Sequence, residues 1–285
     1  MNKKTMIGLT FVAALVVAGP AAAADSTLDQ IKSSKTLRLG YREASIPFSF
    51  VGEDKQPRGY SIDLCRIIAD DLAKQLKLEK LDVQWVPVTA QNRFDALKTR
   101  KIDLECGNTT QTMARRADFD FSLMTYVDGA GLLFRKGEIP ANSDHLTGQR
   151  IVVVSGTTTE AALEALGASA KLGASLVRVA DHGAALKALN DQQATAYAAD
   201  RTVLVTTALT RGLGKDFELS SAQFTYEPYG LMMRIDPPLR LAVDRSLARL
   251  YRTGEIVPVF QRWFAPLGSP GEAIKVMFLL NGLPE

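Results

Sequence analysis

Three arginines of the chain's first half stand at strand ends or helix starts. Arg42 follows the alternating run Thr36-Leu-Arg-Leu-Gly-Tyr41, Arg93 follows Thr89-Ala-Gln-Asn92, and Arg115 lies a turn beyond Asn108-Thr109-Thr110. α/β sheets place ligand contacts at such strand ends. A guanidinium meets a carboxylate with two parallel hydrogen bonds, so arginines gathered at one edge would form an anion site. Taken singly, each is more often a solvated surface residue; it is the repeated position that favours a ligand role. Arg116 reads as the solvated neighbour of Arg115. Two small Thr-rich turns add donors: Lys101-Ile-Asp-Leu-Glu-Cys-Gly-Asn-Thr-Thr110 and Ile151-Val-Val-Val-Ser-Gly-Thr-Thr-Thr-Glu160. Each is expected to open a helix, whose free N–H groups and dipole attract anions. The second also reads as a capping box of Thr157 and Glu160, and both readings can hold together.

The second half adds His182 and Asp200. Asp181 reads as an N-cap. His182 lies at a strand-to-helix junction, either as a donor to a carboxylate or as a structural histidine. Asp200 ends the apolar run Thr195-Ala-Tyr-Ala-Ala199 and either receives an ammonium or caps the helix from Thr202. The ammonium is favoured, because nothing else in this half offers a comparably placed acid. Several cations and one acid match an amino acid with an acidic side chain: two carboxylates and one ammonium.

The elements that must position these groups alternate. In the first half, strand 36–41, an extended stretch 47–51, a turn at 52–57, helix 60–76, strand 83–88, helix 91–98 and strand 102–106 follow in order. The pattern restarts with strand 151–154, helix 159–166, strand 176–179, helix 184–190, strand 195–198 and helix 202–210. Such alternation implies mostly parallel sheets with helices on their faces. Segments 126–135 and 226–234 both run from polar and Gly-containing to apolar to basic, and read as two strands crossing between lobes. Helices 240–251 and 257–264 are expected to return to the first lobe. The expected division is lobe 1 at 25–127 and 232–285, and lobe 2 at 128–231.

Met1-Asn-Lys-Lys4, an apolar run at 6–18 and Ala21-Ala-Ala-Ala24 read as an export signal cleaved after Ala24, with no cysteine there for a lipid anchor. No later stretch reaches the roughly 18 apolar residues of a membrane span, so a soluble, exported protein is expected. Loss of Lys3 and Lys4 takes the formal charge from +3 to +1, which suggests no nucleic-acid partner. In an oxidising compartment the only two cysteines, Cys65 and Cys106, favour a disulfide over two buried thiols. Two Cys and two His without close ligand spacing make no zinc site. There is no Gly-x-Ser-x-Gly or Gly-x-x-x-x-Gly-Lys motif, and no cofactor is expected.

Several segments in order resemble the periplasmic glutamate/aspartate-binding proteins of ABC transporters, within the polar amino-acid binding family. They are Gly40-Tyr-Arg-Glu-Ala-Ser-Ile-Pro-Phe-Ser49, Gly59-Tyr-Ser61, Gln91-Asn-Arg93, Glu105-Cys-Gly-Asn-Thr-Thr110, Ser155-Gly-Thr-Thr-Thr-Glu160 and Asp181-His-Gly183. The likeness covers about 31–264 and fades after Pro266. It implies an α/β fold of the type II periplasmic-binding-protein kind: two Rossmann-like lobes, joined by two crossing strands, closing on one free amino acid. By position, Arg42, Arg93 and His182 resemble the group holding a side-chain carboxylate. Arg115, Thr110 and Thr157 resemble the α-carboxylate clamp, and Asp200 the ammonium acceptor. Many relatives have Ser where this chain has Ala90 and Asn108; Asn108 retains an oxygen able to accept from the ammonium.

The function implied is capture of L-glutamate or L-aspartate by a periplasmic monomer and delivery to an inner-membrane ABC permease, without chemistry. The alternative is a dehydratase of the cyclohexadienyl type on the same scaffold, with Glu43 or Asp128 as general acid. The ammonium site at Asp200 argues against it, since a diacid substrate of that type has no ammonium. A tethered ligand sensor ranks last.

Overall fold

The computed structural model describes residues 26–140, 146–168 and 173–285, so the expected leader at 1–24 lies outside the described residues. Two five-stranded sheets carry the chain. In the first, Asp82–Pro87, Thr36–Tyr41 and Leu104–Glu105 run parallel, and Met232–Arg234 lies antiparallel between Leu104–Glu105 and Phe119–Phe121. The second orders Ser175–Val179, Arg150–Val154, Ala196–Asp200, Ala130–Arg135 and Phe217–Leu219, the first three parallel and the last two antiparallel to their neighbours. Ile151, Val152, Val153 and Val154 are all buried, as a central parallel strand covered on both faces requires. No described helix is long and apolar enough to cross a membrane.

The chain passes between the sheets through Tyr126–Asp128 and returns through Glu227–Tyr229. These pair antiparallel, with Glu227 opposite Asp128 and Tyr229 opposite Tyr126. Only three residues of each expected crossing segment therefore cross; Ala130–Arg135 and Met232–Arg234 belong to the sheets themselves. Tyr126 and Tyr229 are rooted in an aromatic cluster. Tyr126 lies 5.0 Å from both Phe48 and Phe264, and Tyr229 lies 5.1 Å from Phe48. Each such pair adds about 0.5–1.5 kcal/mol beyond its buried area, which anchors the crossing strands to the first lobe.

Asn108-Thr109-Thr110 does not open a helix. Its backbone is spent on the return strand instead: Thr110 bridges Tyr229, the Gln111 N–H donates to Pro228 O, and the Gly230 N–H donates to Thr109 O. A helix starts only at Met113, capped by the Thr112 hydroxyl, and ends at Arg116. Thr158–Ala168, by contrast, is the helix expected after the second turn. Several elements escaped the sequence reading, among them the strands Phe119–Phe121, Phe217–Leu219, Ala44–Ser45 and Pro57–Arg58; the extended stretch 47–51 holds Ser49–Val51, which pairs between the last two in a small antiparallel sheet. The terminal helices Thr27–Ser34 and Glu272–Asn281 escaped it too; the second buries Ile274, Met277 and Phe278, spaced as one helical face.

Cys65, in the helix Tyr60–Gln75, and Cys106, after the strand Leu104–Glu105, form a disulfide buried in the first core. It closes a loop with a sequence separation of 41. Replacing both cysteines with alanine is expected to lower the unfolding free energy by about 2–4 kcal/mol, the chain-entropy range for such a loop. Urea titration of the two proteins checks this; coincident midpoints would mean that the bridge adds nothing.

Candidate functional site

A cavity between the two sheets is lined by Arg42, Arg93, Asn108, Thr110, Arg115, Thr157, His182 and Asp200, together with Val154, Thr158, Thr159, Ala198 and Ala199. All eight residues singled out from sequence therefore meet around one space. Arg42 follows the strand Thr36–Tyr41, and Asp200 ends the strand Ala196–Asp200; the parallel strands aim both into the cleft. Arg93 begins the helix Arg93–Lys98, and its NH2 donates to Gly156 O of the opposite lobe at 3.2 Å. Gln91 makes a second crossing, from Nε2 to Ser155 O at 2.8 Å. A Cβ on Gly156 would lie 2.9 Å from Ala90 O, and its φ of +77° is in the left-handed region, so close approach and backbone both require glycine there.

Buried guanidiniums dominate the electrostatics. Burial holds Arg93 well below the ordinary guanidinium range, and neighbouring Arg42 adds to this; burial lowers Arg42 and Arg115 as well. Arg93 Nε and Asn108 Oδ1 are buried without a hydrogen-bond partner among the described residues. Arg93 and Arg115 both lie over the Phe94 ring, at 4.8 and 5.3 Å, which holds their planes in place. Positive groups crowded out of water in this way are stabilised by an anion.

Asp200 lines the same cavity. It makes no cap to the helix Arg201–Thr210; Asp128 takes the Thr202 N–H instead, at 3.1 Å. Asp200 accepts from the Tyr229 hydroxyl and, at longer range, from Thr159 Oγ1 and Asn108 Nδ2. Burial, then Glu227 and Asp128, push its pKa well above the usual carboxylate range. A cation beside it would relieve that cost.

Thr157 is the cap of its helix. Its hydroxyl donates to Val154 O and accepts from the Glu160 N–H, while Glu160 takes the Gly156 N–H. The unbonded N–H groups of the first helical turn are left to serve an anion. Asp200 is the one acid among the residues lining the cavity, but other carboxylates stand behind the wall. Glu227 and Glu105 are also buried within reach of the arginines, and Glu105 keeps Oε1 without a partner among the described residues. Glu227, Tyr229, Phe94 and Tyr197 were not read as site residues, and Thr158 only as part of the second Thr-rich turn. The available signal was a carboxylate inside an apolar strand (Glu105) and one beside a proline in the crossing segment (Glu227).

His182 is 5 % exposed, and its Nδ1 lies 2.6 Å from the Tyr197 hydroxyl. Burial, then Arg42 and Arg93, lower its pKa to about 3. Between that value and about 6.5 the unfolded chain binds a proton that the folded one refuses, so stability falls as pH drops through this window. The unfolding free energy of the wild type, from urea titration at each pH, is expected to fall more steeply from pH 7 to 4 than that of His182→Gln, by up to about 1.4 kcal/mol per pH unit. Asp128, raised to about 6 by burial, and Asp200 act in the opposite direction and are common to both proteins. Parallel curves would mean that the imidazole is not held neutral.

Two α/β lobes, joined by a pair of short strands and meeting over a cleft of fixed charges, define a two-lobed binding protein. Residues 37–266 match the bacterial extracellular solute-binding proteins, family 3, and the chain belongs to that family. It is 32 % identical over 259 residues to the L-glutamate/L-aspartate-binding protein of Pseudomonas aeruginosa, covering 90 % of this chain and 86 % of the relative. To the glutamate/aspartate import solute-binding protein of Escherichia coli K12 it is 32 % identical over 261 residues, covering 91 % and 86 %. Among solved structures, a mutant of ArgBP from T. maritima aligns with a TM-score of 0.73 at 26 % identity, over 84 % of this chain and 99 % of that one. An ancestral amino acid-binding protein, a precursor of cyclohexadienyl dehydratase, also aligns with a TM-score of 0.73, at 27 % identity, over 84 % and 100 %. The fold is the type II periplasmic-binding-protein fold, and these curated relatives are solute-binding proteins rather than enzymes.

Proposed function

We propose that this protein is exported to the periplasm, captures L-glutamate or L-aspartate by closure of its two lobes, and delivers it as a monomer to an inner-membrane ABC permease. The lobes comprise 25–127 with 232–285, and 128–231. The observation that carries the ligand is the charge content of the cavity wall: Arg42 and Arg93 with neutral His182, Arg115, the start of the helix Thr158–Ala168, and Asp200, all around one space. The side-chain carboxylate goes to Arg42, Arg93 and His182. The α-carboxylate goes to Arg115 and the helix N–H groups, and the ammonium to Asp200 and Asn108 Oδ1. Hydrogen bonds to charged groups contribute roughly 1.5–3 kcal/mol each, so a few reach the −8 kcal/mol of a micromolar complex after ordering costs.

The dehydratase reading has no such support. Glu43 is exposed, and Asp128 is engaged by the Gly129 and Thr202 N–H groups; neither lines the cavity. Isothermal titration of the mature, ligand-stripped protein with L-glutamate, L-aspartate, L-glutamine and L-arginine tests the proposal. Stoichiometric, tight binding of the two acidic ligands alone is expected. Heat from arginine and none from the acids would overturn it.

A further inference from the structure

Glu227 lies on the return strand Glu227–Tyr229, is 1 % exposed, and does not line the cavity. One of its oxygens, Oε2, accepts from two hydroxyls: Thr110 Oγ1 of the first lobe, in a very short bond, and Thr158 Oγ1 of the second lobe at 2.7 Å. Those two hydroxyl oxygens are themselves 3.4 Å apart, and both residues line the cavity. Tyr229, two residues on and so on the same face of the strand, donates its hydroxyl to Asp200. One short strand thus orients three cavity-wall groups.

A threonine hydroxyl has a single proton and two lone pairs, and an ionised carboxylate only accepts. Once Thr110 and Thr158 have given their protons to Glu227, what they can turn to the cavity is lone pairs. Together with Asp200 and Asn108 Oδ1, which has no partner among the described residues, these two hydroxyls form a patch of acceptors beside the donors of Arg115, which reaches Thr110 O at 2.8 Å. An ammonium brings three N–H donors and fits. At that patch a carboxylate, or an amide turned oxygen-first, meets lone pairs and is rejected, while the α-carboxylate stays with Arg115. On this account Thr110 accepts from the ammonium instead of donating to the α-carboxylate.

We propose that Glu227 is a positioning residue that sets the cavity's selectivity for amines, by taking the protons of Thr110 and Thr158 and leaving acceptors to face the ligand. The inference rests on the acidic amino-acid reading above and deepens it. Glu227 also joins a hydroxyl from each lobe, so the selecting arrangement exists only when the lobes meet.

The test compares L-glutamate with glutarate, which has both carboxylates and no ammonium, by isothermal titration of the mature protein. The wild type is expected to prefer glutamate by at least about a hundredfold, the worth of two hydrogen bonds to a charged group. In Glu227→Gln the amide can donate to one threonine oxygen and turn that hydroxyl's proton into the cavity. The glutamate-to-glutarate ratio is then expected to fall about tenfold or more, mainly through loss of glutamate affinity. Thr158→Val, at the solvent-accessible start of its helix, should lower the ratio in the same direction while leaving the buried Glu227 in place, and circular dichroism checks the fold of both variants. A ratio that stays at the wild-type value in both folded variants overturns the role of Glu227 while the ligand assignment stands. A wild type that binds neither acidic amino acid overturns both.

Discussion

Asp200→Ala is expected to abolish calorimetric binding of every amino acid, a loss of about a thousandfold or more. Asp200 is the one carboxylate among the residues lining the cavity. An ammonium brought there without it would be desolvated with no counter-charge. Removing one partner of a buried charge pair costs about 3–5 kcal/mol, and about 4 kcal/mol is a factor of a thousand in affinity. The fold should survive, because the helix Arg201–Thr210 is capped by Asp128 and does not depend on Asp200. Its ionised form is also disfavoured by burial and by Glu227, so its loss removes a stability cost from the folded state. Titration with glutamate, glutamine and alanine, beside a thermal melt, reads both effects. Unchanged affinity would sink the ammonium assignment.

Arg42 and Asp200 were legible because each stands at the end of a strand that its own pattern reveals. Leu37 and Leu39 alternate with more exposed neighbours, and the apolar run before Asp200 is buried throughout. A residue just past such a strand lies at the sheet's carboxyl edge wherever the strand pairs, so local pattern suffices. Glu227 was not legible for the complementary reason. Its role depends on Thr110 and Thr158, 117 and 69 residues away, which meet only when the crossing strand packs against both lobes. Local pattern carries no such pairing. The same cause explains the turn at Asn108-Thr109-Thr110. Its small polar residues suit a helix start, yet pairing with Tyr229 and Pro228 takes the backbone first. Thr157 shows a local signal that held in half: its hydroxyl takes the Glu160 N–H as in a capping box, while Glu160 reaches back one residue further, to the Gly156 N–H.

Arg115→Ala is expected to weaken binding of acidic and neutral amino acids alike, by about a hundredfold to a thousandfold, the scale of a lost bidentate charge-assisted pair. The α-carboxylate is common to all of them, so the ranking among ligands should change little even as every affinity falls. Arg115 is unusually well prepared for that task. Its NH1 donates to Thr110 O at 2.8 Å and its guanidinium lies over Phe94, so little freedom is left to lose when a carboxylate arrives. It also lies at the start of no long helix that could replace it, because Met113–Arg116 is a single turn. Arg115→Lys should recover only part of the loss, since a lysine ammonium cannot present the planar fork or stack on the ring in the same way. Titration of both variants with L-glutamate and L-glutamine decides the assignment. If Arg115→Ala weakened glutamate alone, Arg115 would belong to the side-chain carboxylate, and the α-carboxylate would have to fall to Arg42 or Arg93, reversing the ligand's orientation in the cleft.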